Sequence, residues 1–360
     1  MTPRALCVAT LLALGLTPTA RALDVGPFQL KGNFQFDSVF VDRGPAPIDD
    51  VDDWRRQRLA LSGKLPAGGD FKFEYDFGAQ GFTDAYLRFP LAAGKLTVGQ
   101  FKLPFAAEFL ASSSQLLFTE NAVSASLFSP SRRVGLQYAQ VGGYWGLQTA
   151  VYGEDLKQTG PDFGLAARGW LFDQVGEGHW HLALAATNES PQNNEVRFRL
   201  RPEVGSFGVS WVDGGRFRDA DNLRRVGVEA GYQNGRFMAS GEWFHASADS
   251  LSQGRRSARG GYLQAAWAVH GAPRAYDSGS GLFVGPKATD GLGQIELALR
   301  YSDATLPRVA GGEDGQSGFS AGANLQYTKH LRFMLDRHVP ERDSDGADVA
   351  LWTLRVALGF

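Results

Sequence analysis

The chain has 360 residues, of which 36 are basic and 38 are acidic, and it contains a single cysteine, Cys7. One cysteine excludes a disulfide framework, and the slightly acidic balance indicates that nucleic acid is not a partner. The sequence has no phosphate-binding glycine loop, nucleophile elbow or metalloprotease motif, so it predicts neither a cofactor nor an enzyme activity.

Residues 1–22 are predicted to be a signal peptide that is removed on export. Arg4 precedes an apolar stretch over residues 5–16, and Ala20-Arg21-Ala22 fits a small-residue cleavage site. The apolar stretch is too short to cross a hydrocarbon core, which needs about 20 residues. Without Arg4 and Arg21, the mature chain has 34 basic and 38 acidic residues, a net charge of −4. We expect residues 23–360 to form one domain.

Apolar and polar residues alternate along almost the whole mature chain. The runs in chain order include "FQLKGNFQFDSVF", "FKFEYDFG", "EVRFRLR", "QIELALRY" and the final "LWTLRVALGF". In "EVRFRLR", the apolar face is opposed by Arg197, Arg199 and Arg201. Strict alternation predicts strands with one apolar and one polar face, and we count about sixteen to eighteen of them.

Connections between these runs differ in length. The turn "QNG" is short, whereas residues 42–53, 274–293 and 307–318 are predicted to be long polar loops. Short turns that alternate with long loops are typical of outer-membrane barrels. A soluble β-sandwich also has alternating strands. We favour the barrel because aromatic residues recur near strand ends, as membrane-interface girdles require: Trp54, Tyr86, Trp145, Trp180, Trp211, Trp243 and Trp352.

Distinctive motifs cluster in residues 54–135. They are "WRRQRLALSG", Asp84-Ala85-Tyr86, Gly99-Gln100-Phe101-Lys102 with Pro104-Phe105, Ser112-Ser113, Phe118, Glu120, and Pro130 with Arg132-Arg133 and Gly135. This stretch resembles the phosphate-selective porin O/P family of outer-membrane anion porins. Shorter pieces downstream, such as "RFRLRPE", "GEWF" and "LALRYS", extend the resemblance over most of the mature chain.

The resemblance implies an all-β fold: a sixteen-stranded transmembrane antiparallel barrel, assembled as a homotrimer. It also implies a loop folded into the lumen and passive diffusion of small anions, with phosphate or polyphosphate favoured. Residues 104–131 are expected to be this constriction loop. They also form the longest interruption in the strand pattern. In this interpretation the lipid bilayer covers the apolar faces, and the outer-membrane assembly machinery reads the terminal Phe360.

An anion pore needs fixed positive charge at its narrow part, and arginine donates two parallel hydrogen bonds to an oxyanion. Alternation places Arg56 and Arg58 on an inward face, and Arg55 on the other parity, at a strand end or bulge. The candidate pore and anion-binding residues are Arg55, Arg56, Arg58, Asp84, Arg88, Lys102, Arg132 and Arg133. For each arginine the alternative is a simple ion pair with an inward carboxylate.

The constriction loop departs from the family pattern. Ser114 and Asn121 stand where the family often has cations, and Glu108 and Glu120 remain. A general or otherwise selective diffusion pore is therefore the alternative function, followed by a barrel enzyme acting on lipids. A soluble secreted β-protein is a further alternative. His179 and His181 share a face, but two ligands on one strand predict a metal site only weakly.

Overall fold

The computed structural model describes residues 23–25, 27–44, 48–158, 160, 162–208, 210–285 and 293–360. The predicted signal peptide lies outside the described residues. Sixteen antiparallel strands close into a barrel, which confirms the predicted fold class. Each wall strand pairs with the next wall strand along the chain. The last wall strand pairs with the first through partners such as Phe36 and Val356, which closes the cylinder.

The strands, in chain order, are β1 (Leu23–Val25), β2 (Phe28–Arg43), β3 (Val51–Lys64), β4 (Asp70–Asp76), β5 (Gly81–Leu91), β6 (Gly94–Lys102), β7 (Arg132–Val141), β8 (Trp145–Tyr152), β9 (Gly164–Val175), β10 (Gly178–Glu189), β11 (Val196–Leu200), β12 (Val212–Phe217), β13 (Ala220–Asn234), β14 (Phe237–Ser250), β15 (Gly254–Gly271), β16 (Ala275–Asp277), β17 (Leu282–Val284), β18 (Gln294–Pro307), β19 (Glu313–Gln326), β20 (Leu331–Arg342) and β21 (Ala350–Gly359). β1 pairs with β2 beside the wall, and β11–β12 and β16–β17 are separate hairpins. The short helices are α1 (Ala107–Leu110) and α2 (Val123–Phe128), with 3₁₀ turns at Pro66–Gly68 and Gln192–Asn194.

The two faces of the wall have opposite chemistry, as the alternation predicts. Large apolar side chains point outward and are exposed, for example Leu263 (65%) and Phe319 (69%), whereas inward residues such as Arg355 and Thr353 are buried. An outward apolar band is the surface that a lipid bilayer covers. Among the described residues, no helix is both long enough and apolar enough to cross a membrane.

The predicted aromatic girdle is correct only in part. Trp54, Trp243 and Trp352 are exposed on the outside of the wall. Tyr86 instead lines the lumen, and Trp211 is buried among loop residues. Tyr86 shares the inward parity of Asp84 and Arg88 on β5, and Trp211 lies in the connection between β11 and β12, so neither residue belongs to a girdle.

Two predicted long loops differ in the structure. The strands β18 and β19 extend further than expected, so residues 308–312 alone connect them. The connection between β15 and β18 is long, as predicted, although residues 286–292 lie outside the described residues; it lies at the barrel end where the other connections are short turns. Its hairpin β16–β17 folds into the barrel, where Arg168 donates to the carbonyls of Ser280 and Gly281 at 2.9 and 2.8 Å.

The segment "EVRFRLR" is not a wall strand. Its residues Val196–Leu200 form β11, which pairs with β12 in the connection between β10 and β13. Val196, Phe198 and Leu200 pack into an apolar core inside the barrel, while Arg197 and Arg199 face outward into water. A hairpin that covers a core alternates like a wall strand, so the sequence pattern could not separate the two.

These inward segments fill one side of the lumen. The core contains Phe105 and Phe128 from residues 103–131, Phe198 from β11, and Phe244 from β14. The other side, along β2 to β7 and next to β20 and β21, keeps open volume that is lined by charged side chains. The functional site is therefore expected on that side.

Candidate functional site

The constriction loop, residues 103–131, lies inside the barrel as predicted. It leaves β6 and returns to β7, and Ala106 (φ 62°) and Ser131 (φ 66°) adopt the left-handed region near its two ends. This conformation is uncommon for residues other than glycine, and the surrounding packing must hold it. The loop therefore has a defined course across the lumen.

Wall carboxylates hold the backbone amides of the constriction loop. Glu242 accepts from Ala107 at 2.8 Å and from Glu108 at 2.9 Å, and Asp336 accepts from Thr119 at 2.6 Å. A buried amide without a partner costs about 1–3 kcal/mol, so these carboxylates stabilise the inward position of the loop.

Basic side chains of the wall, together with Arg274 of the connection after β15, hold the loop carbonyls. Arg332 donates to two of them at 2.7 Å each, and Arg274 donates to the carbonyl of Gln115 at 2.7 Å. Arg300 and Arg355 donate to the carbonyls of Glu120 and Thr119. Sequence reasoning missed these arginines as site residues, although the pattern "LALRY" places Arg300 on an inward face. Nothing in the sequence separates an inward arginine that holds a loop from one that lines a pore.

Glu120 lies at the centre of an arginine cluster. The Nε atom of Arg55 is 2.6 Å from its carboxylate, Arg355 is at 3.1 Å and Arg56 at 3.7 Å. Burial would raise the pKa of Glu120, but the charges of Arg55, Arg56 and Arg355 outweigh this and hold that pKa well below its usual range. Glu120 is thus an ionised counterion for the cluster.

A bulge explains how Arg55 reaches this cluster. The pairing of β2 with β3 shifts between Gln35, opposite Arg56, and Asp37, opposite Asp53. Two residues of β3 therefore face one residue of β2, which resets the alternation and turns Arg55 inward. Arg55 and Arg56 both interact with Glu120 of the constriction loop. Arg56 also donates to Gln35 at 2.6 Å.

A second charged group lies on the open side of the lumen. Asp84 accepts from Lys72 at 2.6 Å and from the Nε atom of Arg132 at 2.7 Å, which joins β4, β5 and β7. Arg58 pairs with Asp76 at 2.6 Å. Farther along the same wall, Arg88 pairs with Asp70 at 2.9 Å.

Two adjoining chambers occupy this side, with volumes of about 580 and 270 Å³. We call them together the lumen path. They share Asn33, Arg58, Lys72, Glu74, Ser112 and Ser113 in their lining, so the path runs between the constriction loop and the wall. Among the described residues that line it, two carry carboxylates, Glu74 and Asp84, and eight are lysine or arginine: Lys31, Arg58, Lys72, Arg88, Lys102, Arg132, Lys329 and Arg332.

The structure therefore divides the predicted site residues. Arg58, Asp84, Arg88, Lys102 and Arg132 line the lumen path. Lys102 also donates to three carbonyls of the constriction loop, including those of Phe109 and Ala111 at 2.7 Å each.

Three predicted residues do not line the lumen path. Arg55 and Arg56 surround Glu120, and Arg133 lies in a separate cavity of about 110 Å³ with Tyr152 and Glu154. Arg132 and Arg133 are consecutive, but only Arg132 reaches the group around Asp84. Because the two residues are adjacent in sequence, they were predicted together, although they line different cavities.

The histidine pair belongs to the filled side of the lumen. His181 is 2.8 Å from the hydroxyl of Tyr276, in the inward hairpin, and 3.3 Å from Glu229. The part of the chain that the structure describes contains no group of three acidic, histidine or cysteine side chains arranged to hold a metal ion.

Comparisons with known proteins agree with this architecture. An uncharacterised protein of Caulobacter vibrioides is 26% identical over 338 residues, covering 86% of this chain and 67% of its own length. A trimer form of OmpT, an outer membrane protein of Vibrio cholerae, superposes with a TM-score of 0.62 at 11% identity, over 94% of this chain and 100% of that one. The anion-selective porin from Comamonas acidovorans gives 0.58 at 12% identity, over 92% and 99%. At these identities the solved structures establish the fold alone.

The family itself is established by sequence. The family model for phosphate-selective porin O and P matches residues 28–350, which extend from the first wall strand to the start of the last one. This match confirms the resemblance seen in residues 54–135 and extends it through the barrel. The chain belongs to the phosphate-selective porin O and P family and is an outer-membrane porin.

Proposed function

We propose that this porin conducts small anions across the outer membrane by passive diffusion. The observation that carries the proposal is the charge of the lumen path, where eight basic side chains accompany two lining carboxylates and the two that pair with Arg58 and Arg88, namely Asp76 and Asp70. Fixed positive charge along a narrow path favours anions, and several moderate contacts in series allow each ion to leave again. Anion selectivity in the similar Comamonas porin is consistent with this.

The acidic net charge of the mature chain does not oppose the proposal. Carboxylates such as Asp49, Asp50 and Asp345 lie in loops 44–50 and 343–349, outside the wall strands. Salt screens exposed charges beyond about 10 Å at 0.1 M. The local charge of the lumen path therefore determines selectivity.

Inorganic phosphate and polyphosphate are included among the proposed solutes on the basis of the family. The arginine side chains of the path suit a phosphoryl oxyanion because of their planar fork. The loop contributes hydroxyl groups at Ser112, Ser113 and Ser114 instead of cations. We therefore propose passage of phosphate with weak binding.

Export and assembly complete the proposal. Residues 1–22 act as a cleaved signal peptide, and the barrel forms a homotrimer, as the trimeric OmpT structure supports. The outer-membrane assembly machinery reads Phe360. Gly32 and Phe360 exchange backbone hydrogen bonds at 3.0 and 3.2 Å, so this residue joins the two ends of the chain.

Reversal potentials in planar bilayers test the function. The refolded porin is placed between unequal KCl solutions, and the sign of the zero-current potential reports whether chloride or potassium passes more easily. We expect chloride preference. Cation preference would overturn the proposal, and equal passage would establish a general diffusion pore. The control is porin that has been boiled before it is added to the bilayer. Boiling unfolds the barrel, which is seen as a shift in gel mobility, so this sample should form no channels.

A further inference from the structure

We infer that the smaller chamber of the lumen path binds small organic carboxylates in preference to inorganic phosphate. This inference rests on the proposed anion conduction and specifies its substrate class. It depends on a feature that charge alone does not predict, namely that the chamber of about 270 Å³ has an apolar surface as well as a cationic one.

The apolar surface comes from Tyr86 on β5, Phe101 on β6 and Leu110 on the constriction loop, all of which line the smaller chamber. A hydrated phosphate ion gains nothing from such groups, because every one of its oxygens requires a polar partner. Pockets for organic ligands combine apolar lining with a few placed polar groups. The lining of this chamber follows that pattern.

The cations of the chamber are arranged on one side. Arg58, Lys72 and Arg132 project from the wall strands β3, β4 and β7. Across from them the loop contributes Leu110, Ser112 and Ser113. Lys102 does not supply a free charge toward the centre, because its ammonium group donates to three loop carbonyls.

One-sided donors suit a carboxylate better than a phosphate. A carboxylate presents two oxygens in a plane, and a guanidinium fork such as that of Arg132 matches them. A tetrahedral dianion directs oxygens to all sides and needs donors around it. In this chamber the loop contributes hydroxyl groups and a leucine, and the Lys102 ammonium group beside it is already bound to loop carbonyls, so part of a phosphate gains no further charged partner there.

The chamber also leaves room for an organic body. Its volume is several times that of one tetrahedral oxyanion, and it adjoins the larger chamber of about 580 Å³. The ring of Tyr86 lies 5.8 Å from the guanidinium carbon of Arg88, so an aromatic or aliphatic body placed there contacts an apolar face beside a cation. The Nε atom of Arg132 is bound by Asp84 at 2.7 Å, so the head group is placed at the terminal nitrogens of Arg132, with its body against Tyr86 and Leu110.

Block of the chloride current measures this preference. Benzoate, acetate and inorganic phosphate are added separately to single channels of the full-length mature porin. We expect benzoate to halve the current at a concentration at least about fivefold lower than phosphate, a difference that corresponds to about 1 kcal/mol. Acetate, which has the same head group and a smaller body, should lie between them.

Leu110→Gln and Tyr86→Thr should each bring the benzoate and phosphate values together, because each removes apolar surface from the chamber. Leu91→Gln is the matched control, because Leu91 lies on the same strand as Tyr86 but is exposed outside the path. If benzoate and phosphate block the unaltered porin equally and chloride preference persists, the inference is overturned but the proposed function stands. Unchanged benzoate block in both variants overturns it as well. Cation preference in the same recordings would instead show that the proposed function itself fails.

Discussion

Neutralising Asp84 should strengthen the anion preference of the pore. Asp84 is one of two carboxylates lining the lumen path, and Asp84→Asn keeps its shape while removing its charge. Lys72 retains Glu74 as a partner at 3.0 Å, and the side chain of Arg132 is 16% exposed, so neither cation becomes buried without compensation. The barrel should fold normally.

The size of the effect follows from Coulomb's law. An anion about 7 Å from a carboxylate, at an effective dielectric constant of about 40 for a narrow aqueous path, is repelled by about 1 kcal/mol. Removing this repulsion should raise the chloride-to-potassium permeability ratio about fivefold. The effect should shrink in 1 M salt, where the Debye length falls to about 3 Å.

Reversal potentials at 0.1 M and 1 M KCl measure this ratio. Asp249→Asn is the matched control, because Asp249 pairs with Arg255 at 2.6 Å on β14 and lines neither chamber. The control should leave the ratio unchanged at both salt concentrations. If Asp84→Asn leaves the ratio unchanged as well, the lumen path is not the route of the ions and the reasoning is refuted.

Five further variants test other parts of the structure. Glu120→Gln should destabilise the barrel by about 3 kcal/mol in thermal gel-shift measurements, because it removes the counterion of Arg55 and of the buried Arg56, while Arg355 keeps Asp37; since the pKa of Glu120 is depressed, this stabilisation is present above about pH 4.3 and is lost only as the pH falls well below that value. Arg58→Ala should lower the chloride preference, whereas Arg56→Ala should leave selectivity intact and reduce thermal stability; the opposite pattern in bilayer and melting data would contradict the division of the arginines. Deleting Phe360 should lower the yield of folded barrel without changing the conductance of the channels that do form, and normal yield would count against an assembly role. Ser114→Lys should strengthen phosphate block of the chloride current, and unaltered block would show that this loop position does not meet the ions.

The fold was predictable from sequence because every strand of a barrel wall shows the same local alternation of apolar and polar residues. Alternation in segments such as "QIELALRY" assigns two faces to each strand, and closure follows from their number. The inward hairpin β16–β17 and the loop hairpin β11–β12 were not predictable. Their apolar residues are buried against the inner face of the wall and the constriction loop, and no property of the segments themselves reports that contact.

The sequence predicted which residue types form the candidate site, but not which of those residues line the lumen path. Arg58 and Arg355 both occupy inward positions on wall strands, yet Arg58 faces the lumen path and Arg355 is fully buried between Asp37 and the constriction loop. The course of the constriction loop across the lumen determines which of these two arginines is covered. That course depends on contacts with many strands at once, so it cannot be predicted from the sequence of a single strand.

The wall fixes the position of the constriction loop through the loop backbone, whereas the loop side chains determine the chemistry of the lumen path. Its amides and carbonyls are bound by Glu242, Asp336, Arg332 and Arg355, all of which belong to the wall. The side chains of residues 112–114 make fewer contacts: Ser113 accepts from Asn33 of the wall at 3.2 Å, and the hydroxyls of Ser112 and Ser114 are 2.9 Å apart. Because the wall holds the loop mainly through its backbone, substitutions at these positions should shift that backbone little. The same barrel can in this way be adapted to solutes of different charge and shape, and a protein engineer has three adjacent positions at which to retune the pore.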